Sequence, residues 1–549
     1  MLLLTLLACK GDPLDTATPV AELVPENPLI PGPGDPDHDD ALAAKLRGYD
    51  RQFLAINAAP FGMSLDAYPS RRDEIDDWIT QHDGFTREEF EAAEGVDLYE
   101  LVYHYDEMGD LGMFGGVAAL GDIYRYALLR HDASAIDDDP ADARARFVRI
   151  LHMLHAMQAV TGRPGSLVRG LGLIGQPGLE DQETTPLFDD NGDPLPAVKS
   201  ACWRADQSGE FPELIWYDDT SKDQWIGYIL ALGAAYEVAK DDPDIDPALV
   251  RTLQADALAM GQALRIPHEE TGLDLTLVDG DGRRTTFHDL NAQELEGAVG
   301  DDPFNPFNAA MALSGVKVLA VVSGDAEIDA FYHEIAEDRD YVTLMENLGA
   351  AVHFNYLTNY SGVNMAWVAL YNLLRFEADP ELRAHYERCL VGLWSEGTPR
   401  AASNFNSAWF NLIYAAYADA DPAVLEAALE NLRGFPDAPY WNERVENCDE
   451  AEIATGACVA IDGSTPIELY GSFDADGNFV PGSSRNEDLV ATSAIPRSLR
   501  SPSNFEWRSD PYRVNGGGGD RLNPGGDLRA AYWSGRVWAS DGALSPRAQ

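Results

Sequence analysis

Between about residue 110 and residue 433 the chain alternates two kinds of helix-forming segment. Segments of the first kind are apolar nearly all round: LGMFGGVAALGDIYRYAL, KDQWIGYILALGAAYEV, NPFNAAMALSGVKVLAVV, GVNMAWVALYNLLRF and FNSAWFNLIYAAYA. A helix that has no polar face is buried on all sides. The pattern therefore predicts an inner layer of helices.

Segments of the second kind have a polar face and begin at an acidic residue that proline often follows. The pairs are Asp139-Pro140, Asp246-Pro247, Asp379-Pro380 and Asp421-Pro422, and Asp325 opens a segment without proline. Aspartate at a helix N-cap accepts free backbone N–H groups, and proline fits the first turn. These segments predict an outer layer of amphipathic helices.

An inner ring enclosed by an outer ring is an (α/α) toroid, so we predict an all-α fold built of helical hairpins. Five hairpins are visible, and a sixth is expected from residues 41–61 and 87–103. The alternative is an open solenoid of helical pairs. Solenoid repeats hold a tighter period than these segments do, which favours the closed ring.

The remaining segments predict β-hairpin insertions and a loop-rich end. Residues 273–290 and 468–482 carry strand-like runs around Asp-Gly turns. After residue 433 the chain is rich in loops, with glycine at every position of 516–519, before a final aromatic stretch, AAYWSGRVW. We therefore assign residues 41–433 to the toroid and residues 434–549 to a segment that packs on it.

The charge of the chain restricts its partners. It has 92 acidic and 39 basic residues, which gives a net charge of −53, while the apolar share of 45% is ordinary for a globular protein. Such a field repels phosphate backbones and anionic lipid surfaces. Nucleic acid is therefore not an expected partner.

The N-terminus predicts export and a lipid anchor. Residues 1–9 read MLLLTLLAC, and the quartet Leu6 to Cys9 resembles the lipobox before a bacterial lipidation cysteine, although the run is short and lacks basic residues. Residues 10–40 are rich in proline, aspartate and glycine, which predicts a disordered tether. Lys10 after the cysteine resembles the sorting signal of outer-membrane lipoproteins. The alternative is a chance apolar N-terminus ending in Cys9.

Two further cysteines predict a disulfide in an oxidising compartment. Cys448 and Cys458 bracket a short polar loop. Cys202 and Cys389 either pair or remain free thiols.

The chain resembles the six-hairpin glycosidase-like (α/α)₆ toroids of bacterial glycoside hydrolases and polysaccharide lyases. The resemblance rests on the helix alternation over residues 100–433, on TGRPGSLVRG (residues 161–170) and on WYDDTSKDQWIGY (residues 216–228). It implies activity on carbohydrate. No catalytic signature of a named hydrolase family is present.

Polar residues cluster before the starts of the inner helices, where a toroid brings them to one rim. A carboxylate pair suffices for glycoside cleavage, and the acid/base candidates are Asp106, Asp110, Asp219 and Asp223. Aromatic and amide side chains suit sugar rings and hydroxyls. The substrate-binding candidates are Trp216, Arg169, Tyr103, His104, Asn359, Tyr360, Asn364, Asn404 and Trp507.

Structural roles compete with these assignments. Thr220 with Asp223, and Ser221 with Gln224, have the spacing of a helix capping box. Arg169 either clamps a uronate carboxylate or binds backbone carbonyls. Trp507 either covers the cavity or packs on the toroid.

The sequence thus predicts a carbohydrate-active surface lipoprotein, in the first place a glycoside hydrolase, with an oligo- or polysaccharide as partner. One alternative is a non-catalytic lipoprotein that binds a glycan or another partner. Another is a polysaccharide lyase that uses a tyrosine or histidine base beside Arg169. Motifs such as H-E-x-x-H, a P-loop or G-x-S-x-G do not occur, so neither a cofactor nor a metal is expected.

Overall fold

The computed structural model describes residues 28–58, 62–81, 87–130, 140–293, 305–352, 358, 360–395, 401–482, 484, 488–501 and 510–539. Cys9, Asp139, Asn359 and Trp507 lie outside these residues.

Helices dominate the fold. They are α1 (Asp40–Gln52), α2 (Arg72–Gln81), α3 (Arg87–Glu94), α4 (Leu98–Leu101), α5 (Leu111–Leu129), α6 (Pro140–Ala159), α7 (Lys222–Ala239), α8 (Pro247–Leu264), α9 (Pro306–Ser323), α10 (Ala326–His333), α11 (Tyr341–Met345), α12 (Leu348–Val352), α13 (Tyr360–Phe376), α14 (Pro380–Ser395), α15 (Ala408–Tyr417), α16 (Pro422–Arg433), α17 (Glu450–Ile453) and α18 (Gly526–Val537). The prediction of a helix-rich chain is confirmed.

Short strands lie in the connections between helices. They are β1 (Asp66–Pro69), β2 (Val102–Asp106), β3 (Gly170–Leu173), β4 (Trp203–Ala205), β5 (Leu214–Tyr217), β6 (Thr276–Val278), β7 (Arg284–Asp289), β8 (Val445–Glu446), β9 (Ala457–Val459), β10 (Pro466–Glu468), β11 (Gly471–Phe473), β12 (Phe479–Pro481) and β13 (Asn515–Gly516). These strands pair with one another in antiparallel fashion: β1 with β2, β6 with β7, β8 with β13, β9 with β10, β11 with β12, and β5 between β3 and β4. Both predicted β-hairpins, β6–β7 and β11–β12, are confirmed.

Among the described residues, six helices are buried along most or all of their length: α5, α7, α9, α13, α15 and α18. Each packs against the next in that order, and α18 packs against α5. The series of contacts therefore returns to its first helix. The helix α9 is long and apolar enough to cross a membrane, but 83% of it is buried inside the fold, as in a core helix.

Four of these inner helices, α5, α7, α9 and α13, run in one direction. At the starts of α5 and α7, the Met113 N–H donates to the Gln224 side chain, and at the far ends of α7 and α13 Arg375 pairs with Glu237 at 2.7 Å. Lys222 at the start of α7 bonds Asn308 at the start of α9. Lys317 in the second half of α9 pairs with Glu377, which follows the end of α13. The first turns of these helices therefore lie at one end of the molecule.

The outer helices begin as their sequences predict. Asp246 and Asp421 cap α8 and α16 by accepting backbone N–H groups, with proline in the first turn. Asp325 and Asp379 do the same for α10 and α14. These helices cover the inner layer: α6 lies on α5, α8 on α9, α14 on α13 and α16 on α15.

Two sequence-based boundaries are wrong. The sixth inner helix is α18, from the aromatic stretch near the C-terminus, and its outer partner is α1, so the segment after residue 433 completes the inner layer as well as packing on it. Residues 28–39 were assigned to the tether, but Leu29 and Ile30 are buried and the Leu29 N–H donates to the Trp538 carbonyl. Their apolar side chains provide enough burial to fix this stretch.

A small module between β8 and β13 has its own core, which includes Cys448, Cys458, Ile467 and Val514. Cys448 and Cys458 form the predicted disulfide, with a Cα–Cα distance of 5.6 Å. Cys202 and Cys389 are free thiols.

Non-reducing peptide mapping should recover the peptides of Cys448 and Cys458 as one linked species. Replacing both cysteines by serine should lower the stability of this module by ~2–3 kcal/mol, because the bond closes a loop of about ten residues in the unfolded chain. Hydrogen exchange of β9 and β10 measures the loss. Free thiols at both positions in exported protein would contradict the assignment.

Candidate functional site

A cleft of about 580 Å³ opens at the N-terminal end of α5. Its walls come from the turn between β2 and α5, from the sheet β3–β5–β4 and from the loops beside that sheet. The lining residues are His104 to Asp110, Arg169, Gly178, Leu179, Gln182, Ala201, Trp203 and Tyr217. Asp106, Asp110, Arg169 and His104, all selected from the sequence, thus lie in one cleft.

Asp110 and Asp223 are joined by the side chain of Gln224. The Gln224 Nε2 donates to Asp110 Oδ1 at 3.1 Å and to Asp223 Oδ2 at 3.2 Å. Two oxygens bound to one nitrogen are separated by no more than the sum of these distances, 6.3 Å. Gln224 is itself buried, and its Oε1 accepts the Met113 N–H at 2.9 Å, which fixes the amide orientation. Asp223 is half-buried and is not one of the residues that line the cleft; Gln224 links it to Asp110, which does.

Glycines bring the two carboxylates together. A Cβ on Gly116 would lie 2.0 Å from the Gly227 carbonyl oxygen, and a Cβ on Gly227 would lie 2.4 Å from the Met113 Cα. Only glycine permits this approach of α5 to α7. The first turns of the two helices are consequently close enough for Gln224 to reach Asp110 on the neighbouring helix.

The capping boxes predicted as an alternative at the start of α7 do not form. Ser221 is the N-cap residue, but its side chain makes no capping hydrogen bond. Its hydroxyl donates to Asp223 Oδ1 instead, while the Thr220 hydroxyl is directed to the Val168 carbonyl at 3.4 Å. The position of Asp223 is therefore not explained by helix capping.

Arg169 holds the backbone around the carboxylate pair. Its Nε donates to the Gly109 carbonyl at 2.9 Å and its Nη1 to the Asp219 carbonyl at 3.3 Å, which agrees with the carbonyl-binding alternative. Its Nη2 lies 3.9 Å from Asp110 Oδ1.

Asp219, selected from the sequence as an acid/base candidate, is held by hydrogen bonds in a buried turn. It is 7% exposed, and its carboxylate accepts the Thr286 N–H and hydroxyl, both at 2.8 Å. Its backbone has φ 67°, an uncommon conformation for a non-glycine residue, and its N–H donates to the Asp279 carboxylate. Both carboxylate oxygens of Asp219 are thus occupied by the protein.

Asp279 lies in a buried cluster of charges under this turn. Burial raises the pKa of Asp279 to about 7, while the nearby Lys199 ammonium acts in the opposite direction. Lys199 pairs with Asp279 and lies 3.3 Å from Asp218 and 3.7 Å from Asp281. The cluster fixes the loop before β4 beneath the Asp219 turn.

Trp216, selected from the sequence, does not line the cleft, but two other aromatic residues near it do. Trp216 is fully buried and its Nε1 donates to the Ala205 carbonyl at 2.9 Å, so it is not available to a ligand. The next residue, Tyr217, lines the cleft together with Trp203, and their ring centroids lie 5.2 Å apart. Adjacent strand residues face opposite sides of a sheet, so the prediction chose the wrong side of β5.

The opposite wall belongs to β2. Tyr103 is 58% exposed and packs on Tyr68 at 6.0 Å between ring centroids. Asp106 accepts the Glu107 N–H at 2.8 Å and the Tyr68 hydroxyl at 3.4 Å. Asp106 thus presents an acceptor to the cleft, whereas Tyr103 lies outside the residues that line it.

Arg521, which the sequence analysis missed, anchors the base of this wall. It lies 2.9 Å from the buried Asp66 and 3.7 Å from Glu107. Burial alone would lower the pKa of Arg521, but these carboxylates raise it, so the guanidinium stays charged. Among the described residues no group of three His, Cys, Asp or Glu side chains is arranged to hold a metal ion.

The remaining candidates do not line this cleft. Tyr360 is mostly buried against Phe405, with ring centroids 5.4 Å apart, and Asn364 is 1% exposed inside α13. Asn404 is exposed in the turn before α15. Burial removes Asn364 as a ligand-contacting residue.

No protein-family model and no curated protein matches the chain. Among solved structures, it is similar to the cellulase Cel9M of C. cellulolyticum, with 12% sequence identity over 91% of this chain and 98% of that chain, at a TM-score of 0.38. At so low a score neither the fold nor the activity of this chain is inferred from the similarity.

Proposed function

We propose that this protein binds sugar chains in the cleft and hydrolyses their glycosidic bonds, with Asp110 and Asp223 as the reacting carboxylates. The observation that carries the proposal is the shared hydrogen-bond donor, Gln224, which holds one oxygen of each within 6.3 Å of the other. Glycosidases place two carboxyl groups roughly 5–9.5 Å apart on either side of the bond that they cleave.

The surroundings of the two carboxylates suggest different roles. The Arg169 guanidinium lies 3.9 Å from Asp110, and we assign Asp110 as the group that attacks the anomeric carbon or removes a proton from water. Among the described residues, the hydrogen bonds to the Asp223 side chain come from the neutral Ser221 and Gln224. As the second carboxylate of the pair, Asp223 is assigned as the acid that protonates the leaving oxygen.

The charge of the cleft favours a neutral substrate. Asp106, Glu107 and Asp110 line it, whereas the nitrogens of Arg169 are already directed at carbonyls and at Asp110. A polyanionic chain would meet mainly carboxylates. This disfavours a polysaccharide lyase, which needs a free cation to neutralise a uronate, and Trp203 and Tyr217 offer ring faces to a neutral pyranose.

We further propose that the six inner helices and their outer partners form an (α/α)₆ toroid with the cleft at its N-terminal rim. The contact between α18 and α5 supports a closed ring over an open solenoid. The common direction of α5, α7, α9 and α13 supports a single rim.

Incubation with neutral polysaccharides tests the function. We expect saturable binding and release of new reducing ends from at least one of cellulose, xylan, mannan and chitin, with no gain from pectin or alginate. Calorimetry measures binding and a reducing-sugar assay measures cleavage. Binding without cleavage would select a non-catalytic glycan-binding protein, and the absence of both would reject the proposal.

We also propose that the protein is exported and anchored in the outer membrane by a lipid on Cys9. Expression in a Gram-negative host tests this proposal. The support is the lipobox-like quartet and the proline-rich stretch that follows it. Cys9→Ser should move the protein from the outer-membrane fraction to the soluble fraction, measured by fractionation and immunoblotting, because a lipid anchor would be lost. Cys202→Ser serves as control. Unchanged membrane association of the Cys9 variant would contradict anchoring.

A further inference from the structure

We propose that Phe287 binds a sugar ring on the Asp223 side of the carboxylate pair, so that a bound chain extends past the pair in both directions. This inference rests on the proposed function. It adds that the ligand is an internal segment of a neutral polysaccharide, and that Phe287 makes binding depend on the length of the chain.

The backbone places Phe287 beside Asp223. Phe287 in β7 forms a parallel bridge with Ser221, the residue that caps α7. Bridged residues of neighbouring strands lie about 5 Å apart. The Ser221 hydroxyl donates to Asp223. Ser221 therefore contacts both Phe287 and the Asp223 carboxylate and lies between them.

Phe287 is held in an exposed position by a firmly anchored strand. It is 51% exposed, although the residues on both sides of it are fixed: Thr286 binds the Asp219 carboxylate, and the His288 ring bonds the Thr285 carbonyl. Water-exposed aromatic surface contributes nothing to folding that a polar residue would not supply. A rigidly presented ring face suits stacking on a ligand.

Aromatic surface therefore flanks the carboxylate pair. Trp203 and Tyr217 line the cleft beside Asp110, and Phe287 lies beyond Asp223. Lys222, next to Asp223 in the chain, is paired with Asp289 at 3.3 Å, and Arg284 of β7 is paired with Glu270 at 3.0 Å. A neutral chain with rings on both sides of the pair fits this arrangement, and cleavage would then occur within the chain.

The test measures how affinity grows with chain length. Cello-, xylo-, manno- and N-acetylchito-oligosaccharides of two to six units are titrated by calorimetry into Asp110→Asn protein, which prevents turnover. The variants are Phe287→Ala, the conservative Phe287→Trp, and the matched control Phe473→Ala. Phe473 is 60% exposed on β11 of the disulfide module.

We expect Phe287→Ala to weaken hexasaccharide binding about tenfold, which is the loss of one ring contact, and disaccharide binding less than twofold. Phe287→Trp should restore the affinity, and Phe473→Ala should change neither. If a series binds with affinity that rises with length and Phe287→Ala leaves this rise unchanged, the Phe287 site is wrong while the proposed function stands. If no series binds, both are rejected.

Discussion

Asp110→Asn and Asp223→Asn should each lower the rate of glycoside hydrolysis by about 10³-fold or more. An amide can neither protonate a leaving oxygen nor act as a base or nucleophile, and general acid–base catalysis alone contributes roughly 10²–10⁴-fold. Both side chains accept hydrogen bonds from one Gln224 amide, so each variant keeps a polar group in its place. Initial rates of reducing-end release on the best polysaccharide measure the effect.

The double variant distinguishes a pair that acts as a unit from two independent contributions. Asp110→Asn/Asp223→Asn should be hardly slower than either single variant, because residues that act together are not additive. Asp241→Asn, an exposed carboxylate between α7 and α8, is the control and should keep full activity. Retention of more than a tenth of the activity in either single variant would contradict the assignment.

Arg529→Met should destabilise the whole fold by about 3–5 kcal/mol. Arg529 on α18 is fully buried and lies 2.6 Å from Asp50 on α1 and 2.6 Å from Asp122 on α5. Without it, two buried carboxylates lose their cation at the point where the last inner helix meets the first. Urea denaturation followed by circular dichroism measures the loss.

The effect should depend on pH in a defined direction. Burial raises the pKa of Asp50 even beside Arg529, and removing the guanidinium raises it further. A carboxyl whose pKa is higher in the folded state binds protons more tightly there, so its stabilising effect is lost as pH rises. The Arg529→Met variant should therefore lose less stability near pH 4 than at pH 7.

Two comparisons make this prediction specific. Arg265→Met removes an exposed pair with Glu327 and should cost less than about 1 kcal/mol. Adding Asp50→Asn and Asp122→Asn to Arg529→Met should recover part of the stability, because no buried charge is then left alone. If the Arg529→Met protein were as stable as the Arg265→Met protein, the ion pairs of Arg529 with Asp50 and Asp122 would not hold α18 against α1 and α5, contrary to this prediction.

The inner and outer layers were predictable from sequence because burial dictates their composition. All of α5 is buried, and its sequence has no polar face, while Asp246 and Asp421 cap outer helices as their position before proline indicates. The role of α18 was not predictable. From the sequence, Arg529 is expected at the surface because arginine is rarely buried. Its partners Asp50 and Asp122 lie more than 400 positions away, so the sequence does not indicate that it is paired.

The candidate site was predictable in its residue types and less so in its pairing. The starts of α5 and α7 supplied Asp110 and Asp223, but the sequence offered Asp219 equally, and it is the shared Gln224 donor that distinguishes the pair Asp110 and Asp223. Strand alternation would have indicated Tyr217 rather than Trp216 once β5 was recognised. Gln224 carries no signal, since its importance arises from contacts across two helices.

Hydrolysis in ¹⁸O-labelled water tests the central claim most directly. A pair of carboxylates that cleaves a glycosidic bond adds one water per bond, so mass spectrometry of the products should show one ¹⁸O at each new reducing end, and Asp223→Asn protein should produce none. Products without the label that carry a double bond would indicate elimination by a lyase. Bound but intact chains would leave Asp110 and Asp223 as binding groups and contradict the claim.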